Sequence, residues 1–411
     1  MSSMIKVSPD RTGAFVFLAL FILFLVLNPL GEDKFFPPSD EGYYRQYAQQ
    51  LLDQGPKGLR DLVEWYAGSL EARSHPAPIR FGYLTVVAIL FHIFGASYTV
   101  MGNVATVAFL LFLAVNFYFL RKYVPLDHAL ATVILLASSP LFLNLSRRAL
   151  IDVPVALFWS WALWLVYEII ERGSSLKRSV LLSIVLWAAL SVRESALILI
   201  AAICFFTVAA RLFRYIRSLR EVLVPIFSAV ALYMLSLLLI LGDSQAFLRG
   251  FTAIFSTHSS LSSHSEYAFD YCSGPWFRYL LDFLLLIPVE VILACGFAFY
   301  VLAQKPRDRF YIFWLALFAI IYALFNTMPH SKILRQVATL ELPLAMFAAG
   351  AVFVLFDQVP IRRSILHFKP LVIIIIMSWL NFSYFIKIFY VTFLEDPISH
   401  QLLLIHHFIP R

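Results

Sequence analysis

Runs of about 20 apolar residues, each long enough to cross a hydrocarbon core of about 30 Å, recur along the whole of this 411-residue chain and leave it little choice of fold. They lie near 13–30, 103–120, 128–146, 153–170, 179–192, 195–210, 222–242, 279–302, 310–327, 334–356 and 370–390. In lipid every backbone N–H and C=O must be satisfied within the chain, so such runs are expected to be helices. The expected fold is all-α: a polytopic integral membrane protein of about 11 transmembrane helices. It forms a single domain over 1–411, with no fixed-period repeat. Hydrophobic residues make up 61% of the chain, charged residues 14%, and mean hydropathy is +0.81, a balance that would oblige a water-soluble fold to expose large apolar patches. The run at 15–30 follows Lys6 and Arg11 as a signal sequence would, but "NPLGE" offers no small-x-small cleavage pattern, and it reads as a retained first span.

The net charge of +7 does not point to nucleic acid, because the Lys and Arg residues sit in short runs between apolar segments, where they orient the protein. Segment 81–101, "FGYLTVVAILFHIFGASYTVM", is apolar enough to span yet is interrupted by Gly82, His92 and Gly95. If it does not cross, the N-terminus, 121–127, 171–178, 211–220, 303–309 and 357–369 share one side and hold 17 of the 32 Lys and Arg residues. The positive-inside rule favours that arrangement. The segment is therefore expected to be an interfacial or re-entrant helix, with the N-terminus cytoplasmic and the C-terminus outside. The outer face then receives a first loop at 31–102, a second large loop at 243–278, and the turns at 147–152, 193–194 and 326–335. A prokaryotic plasma (inner) membrane is the expected location. Cys204, Cys272 and Cys295 have no spacing that suggests a disulfide or thiolate metal site. The Ser/His stretch 256–265 reads as a surface loop rather than a metal site built on His258 and His264.

The outer segments carry the chemistry. In "FFPPSDEGYYRQYAQQLLDQG", Pro37 and Pro38 stop the preceding helix, and Asp40 and Glu41 open an amphipathic helix lying on the membrane surface. Asp40 could cap that helix, act as a base, or do both. Asp152 follows "NLSRRAL", so Arg147 and Arg148 flank it, either as an ion pair anchoring the turn or as part of a polar site. His330, Lys332 and Arg335 open a span on the side that the positive-inside rule depletes of cations. Arg193 and Glu194 occupy another outer turn. Acids from two loops and bases from others are what a lipid-phosphate-dependent transferase needs: a carboxylate to take a proton and cations to stabilise a departing phosphate.

At these residues the chain resembles the GT-C superfamily of membrane glycosyltransferases. Within it, the similarity is to the protein O-mannosyltransferase and lipid A aminoarabinose transferase branch. The Asp40-Glu41 pair with Tyr44, "HPAPIRFGY", "FHIFGAS", "SRRALIDVPVALFWSWAL" and "SKILRQVATLELPLAMFAAG" carry the likeness. The resemblance implies that Asp40 is the catalytic base with Glu41 beside it. It implies that Asp152, with Arg148 near it, is a second-loop acid at the donor or at a divalent metal ion, and that Lys332 and Arg335 contact the donor phosphate, with Arg193 joining them. Tyr44, His75 and His330 would line the substrate site. The implied donor is a sugar on a polyprenyl phosphate, and the acceptor a glycan, lipid or protein. The family's proline pair is split here by Ala77 into Pro76 and Pro78.

The function expected from these readings is transfer of a sugar from a polyprenyl-phosphate-linked donor to an acceptor at the outer face of the membrane. The alternative is a secondary transporter or flippase for a lipid-linked or small polar solute. For that reading Glu168, Asp282, Glu290 and Glu341, all inside apolar runs, are the residues of interest.

Overall fold

The computed structural model describes residues 39–213, 215–216, 218–260, 274–304, 308–327, 332–358 and 369–388. The first apolar run, His264, Cys272, His330 and the C-terminal segment lie outside the described residues. Those described form sixteen α-helices and two 3₁₀ turns, with no strand among them. In chain order these are α1 (Asp40–Gln54), α2 (Pro56–Gly68), a 3₁₀ turn (Ala72–Ser74), α3 (Phe81–Phe94), α4 (Tyr98–Leu120), α5 (Leu126–Ser138) and α6 (Pro140–Leu145). There follow α7 (Asp152–Arg172), α8 (Leu176–Val192), α9 (Ala196–Leu212), α10 (Arg220–Leu241), α11 (Ser244–Ser260), α12 (Arg278–Leu286), α13 (Pro288–Gln304) and α14 (Arg309–Asn326). A 3₁₀ helix (Leu334–Leu340) leads into α15 (Glu341–Gln358), and α16 (Lys369–Ile388) closes the series.

Six of these segments are long and apolar enough to cross a membrane: α4, α7, α10, α14, the 3₁₀ helix with α15, and α16. The chain is a multi-pass membrane protein. Within the spanning window α7 is 83% buried and the segment leading into α15 is 78% buried, whereas α10 and α16 are each 28% buried. The first two are central staves; the last two present Phe227, Leu239, Ile375 and Trp379 outward, as lipid-facing helices do. Among the central helices α4, α8 and α9 pack on α7, while α13 and α5 pack on α15. On α7 the buried Trp164 Nε1 donates to Asn116 Oδ1 of α4 at 2.8 Å.

Three segments differ from the sequence expectation, each for a local reason. The run 128–146 is two helices, because Ser139 and Pro140 end α5 and start α6, the Ser139 hydroxyl accepting from Phe142 N. The run 279–302 is also two helices, bent by 119° where Pro288 follows Ile287. In 81–101 the helix stops at Phe94, where Gly95 takes φ 86°, and Ser97 caps the next helix at Tyr98. At 14 residues α3 measures about 21 Å, short of the hydrocarbon thickness. Gly82 lets α3 lie close on α8, since a Cβ there would sit 2.2 Å from Ser191 Oγ.

The first loop folds as the amphipathic reading requires. Ser39, and not Asp40 as the sequence allowed, caps α1 by accepting from Glu41 N at 3.4 Å, which leaves the Asp40 carboxylate for other partners, and Gly55, at φ 62°, turns the chain into Pro56 at the head of α2. Tyr44, Tyr47 and Ala48 of α1 are buried, packing the helix down on α3, which puts the first turn of α1 over one end of the bundle.

Candidate active site

Five chain breaks meet at that end of the bundle, and each delivers a charged side chain from the tip of an element. Asp40 opens α1, Arg80 precedes α3, Asp152 opens α7, Arg193 ends α8, and Arg335 lies in the 3₁₀ helix before α15. Arg335 Nη2 donates to Asp40 Oδ2 at 2.7 Å, and its Nη1 lies 3.8 Å from Asp152 Oδ2. The other Asp152 oxygen takes a hydrogen bond from Arg193 Nη1 at 2.5 Å. A planar guanidinium can serve two carboxylates at once, so Arg335 ties the first loop to the head of α7. Asp152 is 2% exposed in its side chain, whereas Asp40 is 33% exposed, making it the acid of the pair that faces out.

Burial pushes the Asp40 carboxyl up, but Arg335 foremost, with Arg80 and Arg193 behind it, outweighs burial and holds it below the ordinary carboxylate range. Asp40 is ionised at neutral pH in this arrangement. Beside it, Arg80 donates through Nε and Nη2 to both Glu194 oxygens, at 2.9 and 2.5 Å, and through Nη1 to the Tyr44 hydroxyl. Burial opposes the Arg80 charge, and Glu194 more than restores it. Tyr44 is a buried neutral phenol, its acidity suppressed by burial.

Glu41 turns the other way. It is fully buried, taking Arg148 Nε at 2.6 Å and Ala149 N at 3.0 Å on one oxygen, and so pins the 146–151 turn beneath α1. The two neighbouring acids of the sequence motif have therefore separated: Asp40 faces the polar site and Glu41 is a structural clamp.

Of the remaining residues expected at the site, Lys332 is not brought into the Asp40 cluster. Its Nζ donates to the carbonyls of Gly274 and Pro275 at 2.7 and 3.3 Å, and burial with the nearby Arg278 lowers its pKa. His75 stacks between Tyr43, at 3.9 Å, and Trp65, at 5.9 Å between ring centroids; burial lowers its pKa although Glu71 and Asp40 pull the other way. His330 lies outside the described residues. Arg80 is the member of this cluster that sequence reasoning missed. The signal was available, since a lone Arg at the head of an apolar helix expected on the outer side breaks the positive-inside pattern as Lys332 and Arg335 do.

A divalent cation at Asp152 fits these residues poorly. Metal sites of this kind gather several carboxylates or imidazoles, and no group of three or more His, Cys, Asp or Glu able to hold a metal occurs among the described residues. Asp152 instead meets two guanidinium groups, with Arg335 standing between the two acids.

A family profile described as dolichyl-phosphate-mannose-protein mannosyltransferase matches residues 75–241. Among solved structures, ArnT from Cupriavidus metallidurans in the apo state superposes with a TM-score of 0.54 at 15% identity, over 86% of this chain and 61% of that one. ArnT bound to undecaprenyl phosphate gives a TM-score of 0.54 at 16% identity, over 85% and 60%. The archaeal oligosaccharyltransferase AglB from Archaeoglobus fulgidus, in complex with an inhibitory peptide and a dolichol-phosphate, gives 0.59 at 12% identity, over 92% and 56%. No curated protein sequence matches the chain. The chain spans about three fifths of the length of ArnT and a little over half that of AglB. It has the GT-C fold, and its likeness to GT-C mannosyltransferases extends to the family profile.

Proposed function

We infer that this GT-C-fold chain is a glycosyltransferase that takes a sugar from a polyprenyl-phosphate carrier and delivers it to an acceptor at the outer face of a prokaryotic plasma membrane. The observation that carries this reading is the row Asp40, Arg335, Asp152, Arg193: an outward-facing carboxylate bound to a cation that is itself shared with a second, buried acid. The undecaprenyl phosphate bound by ArnT and the dolichol-phosphate bound by AglB support a lipid carrier as donor.

The chemistry follows from the charges. A donor phosphate reaching this end of the bundle competes with Asp40 for Arg335, and Arg193 and Arg80 stand close enough to act on Asp40 electrostatically. Once Arg335 turns to the phosphate, Asp40 loses the cation that depresses its basicity. It then takes the proton of an acceptor hydroxyl, whose oxygen attacks the anomeric carbon as the bond to the phosphate oxygen breaks. The carrier leaves as a polyprenyl phosphate whose new charge the arginines stabilise, so no general acid is required. One displacement of this kind inverts the anomeric configuration.

The test is thermal unfolding of the purified chain in nanodiscs with added undecaprenyl phosphate. A ligand that binds only the folded state raises the transition temperature. The wild-type chain should be stabilised, and Arg335→Ala should lose most of the shift. Equal stabilisation of both, or of neither, contradicts the donor assignment.

A further inference from the structure

On the face of α1 opposite Asp40, a groove of about 480 Å³ runs from Gly42 to Gln54 and is closed at one side by Tyr98, the first residue of α4. At 1.5 Å per residue it extends about 18 Å from the turn that carries Asp40, the length of about three sugar rings. Its volume falls within the range of small-molecule sites.

The lining is polar and nearly neutral. Gln46, Gln49, Gln50 and Gln54 supply four amides, and no aliphatic side chain contributes. The two charges, Arg45 and Asp53, are of opposite sign, so the groove favours neither an anion nor a cation. A lipid tail needs apolar walls, and a phosphate headgroup needs an excess of positive charge. Neutral groups that both donate and accept suit a ligand whose surface is hydroxyl.

Several of these side chains are already held in place. Arg45 lies over the Tyr98 ring, 4.8 Å from its centroid, and donates to Ala96 O at 3.3 Å. Gln49 Nε2 donates to Asp53 Oδ1 at 2.8 Å, and Gln50 Nε2 to Gly58 O at 3.3 Å. Ordering them before binding lowers the entropy cost of association. Outside the lining itself, Tyr43, next to Gly42, begins a ladder of stacked rings through His75 to Trp65, whose outermost ring is 43% exposed. Sugar rings stack their C–H faces on such surfaces, and a peptide or a bare phosphate does not need one.

The geometry points to this groove as the binding site for the distal sugars of a carbohydrate acceptor, an oligosaccharide that lies along α1 and crosses the first turn of the helix to bring its end to Asp40 on the other face. The inference rests on the transferase reading and narrows its acceptor from glycan, lipid or protein to a glycan.

The test is saturation-transfer NMR on the full chain in detergent. The probes are methyl mannoside, methyl glucoside and methyl galactoside, their trisaccharides, and a glycine-serine tripeptide, each at millimolar concentration. The proteins are wild type, Asp40→Asn, and a Gln46→Ala/Gln49→Ala double variant of groove-lining side chains that are exposed and half-buried. The expected result is transfer to at least one saccharide in wild type and in Asp40→Asn, reduced at least fivefold in the double variant. Signals equal in all three proteins, or a groove-dependent signal from the tripeptide alone, overturn the assignment. If saccharides bind through the glutamines while Asp40→Asn keeps full turnover, the groove stands and the catalytic base falls. If Asp40→Asn is inactive and no saccharide depends on the glutamines, the transferase stands and the groove falls.

Discussion

Arg335 holds two acids of different exposure, and this makes the ionisation of Asp40 sensitive to a single neighbour. Because its folded-state pKa lies below the ordinary value of 3.8, the stabilisation from the Asp40–Arg335 pair is complete above that value and is lost as pH falls through the lowered one. In Arg335→Gln the largest opposing cation is gone, so the pKa rises from its lowered value while Arg80 and Arg193 still hold it down. The acid limb of the pH–kcat/KM profile should move to higher pH in that variant; an unmoved limb would show that Asp40 is not the group that titrates. Glu41 makes the contrasting case. Glu41→Gln takes the carboxylate from the buried guanidinium of Arg148, a loss on the order of 3–5 kcal/mol, whereas Asp40→Asn alters a partly exposed pair. Thermal unfolding in detergent should register a large drop for the first and a small one for the second. Two adjacent acids in one motif thus separate by experiment into a clamp and a base.

At the level of elements, the helices were legible because apolar run length and caps are local signals. Eight of the apolar runs fall on one continuous helical segment within the described residues, those at 128–146 and 279–302 being split in two, and Gly55 and Pro56 mark the junction of α1 and α2. The bend at Ile287 was less legible, because hydropathy counts apolar residues and not the angle between the helices they form. For the same reason Lys332 looked like a partner of Arg335: they are three residues apart, but extended backbone at Ile333 precedes the 3₁₀ helix and sends the Lys332 ammonium to the carbonyls of Gly274 and Pro275. The Arg80–Glu194 pair joins residues 114 apart, a proximity that only the packing of α3 on α8 creates. That packing is testable. Gly82→Ala should lower the unfolding temperature, and Gly82→Ala/Ser191→Gly should recover part of it, because the closest atoms to the new Cβ are those of the Ser191 side chain.

Over the whole molecule, the acids divide between two ends. Asp40, Asp152 and Glu194 meet arginines at one end, while Glu168, about 24 Å along α7 from Asp152, meets Lys122 at 2.9 Å with Arg172 and Arg178 near it. Asp282 lies beside Arg278 at 3.7 Å, and Glu290 takes a hydrogen bond from Asn381. Glu290 and Glu341, each nearly fully buried, are the acids that a transporter would need to titrate. On the transferase account, Glu290→Gln and Glu341→Gln leave the cellular pool of lipid-linked sugars unchanged when the variants are expressed at wild-type levels. The charge asymmetry of the sequence also predicts an orientation. Cysteines introduced at Lys177 and Asp53 should react with impermeant reagents from opposite sides of the membrane, the first from the cytoplasm and the second from outside. The central claim is that Asp40 activates the acceptor of a polyprenyl-phosphate sugar. Its most direct test is mass spectrometry of polyprenyl-phosphate sugars in cells carrying the wild-type chain or Asp40→Asn at matched expression. One lipid-linked sugar accumulating in the variant is the predicted result, and identical lipid pools in the two strains would contradict it.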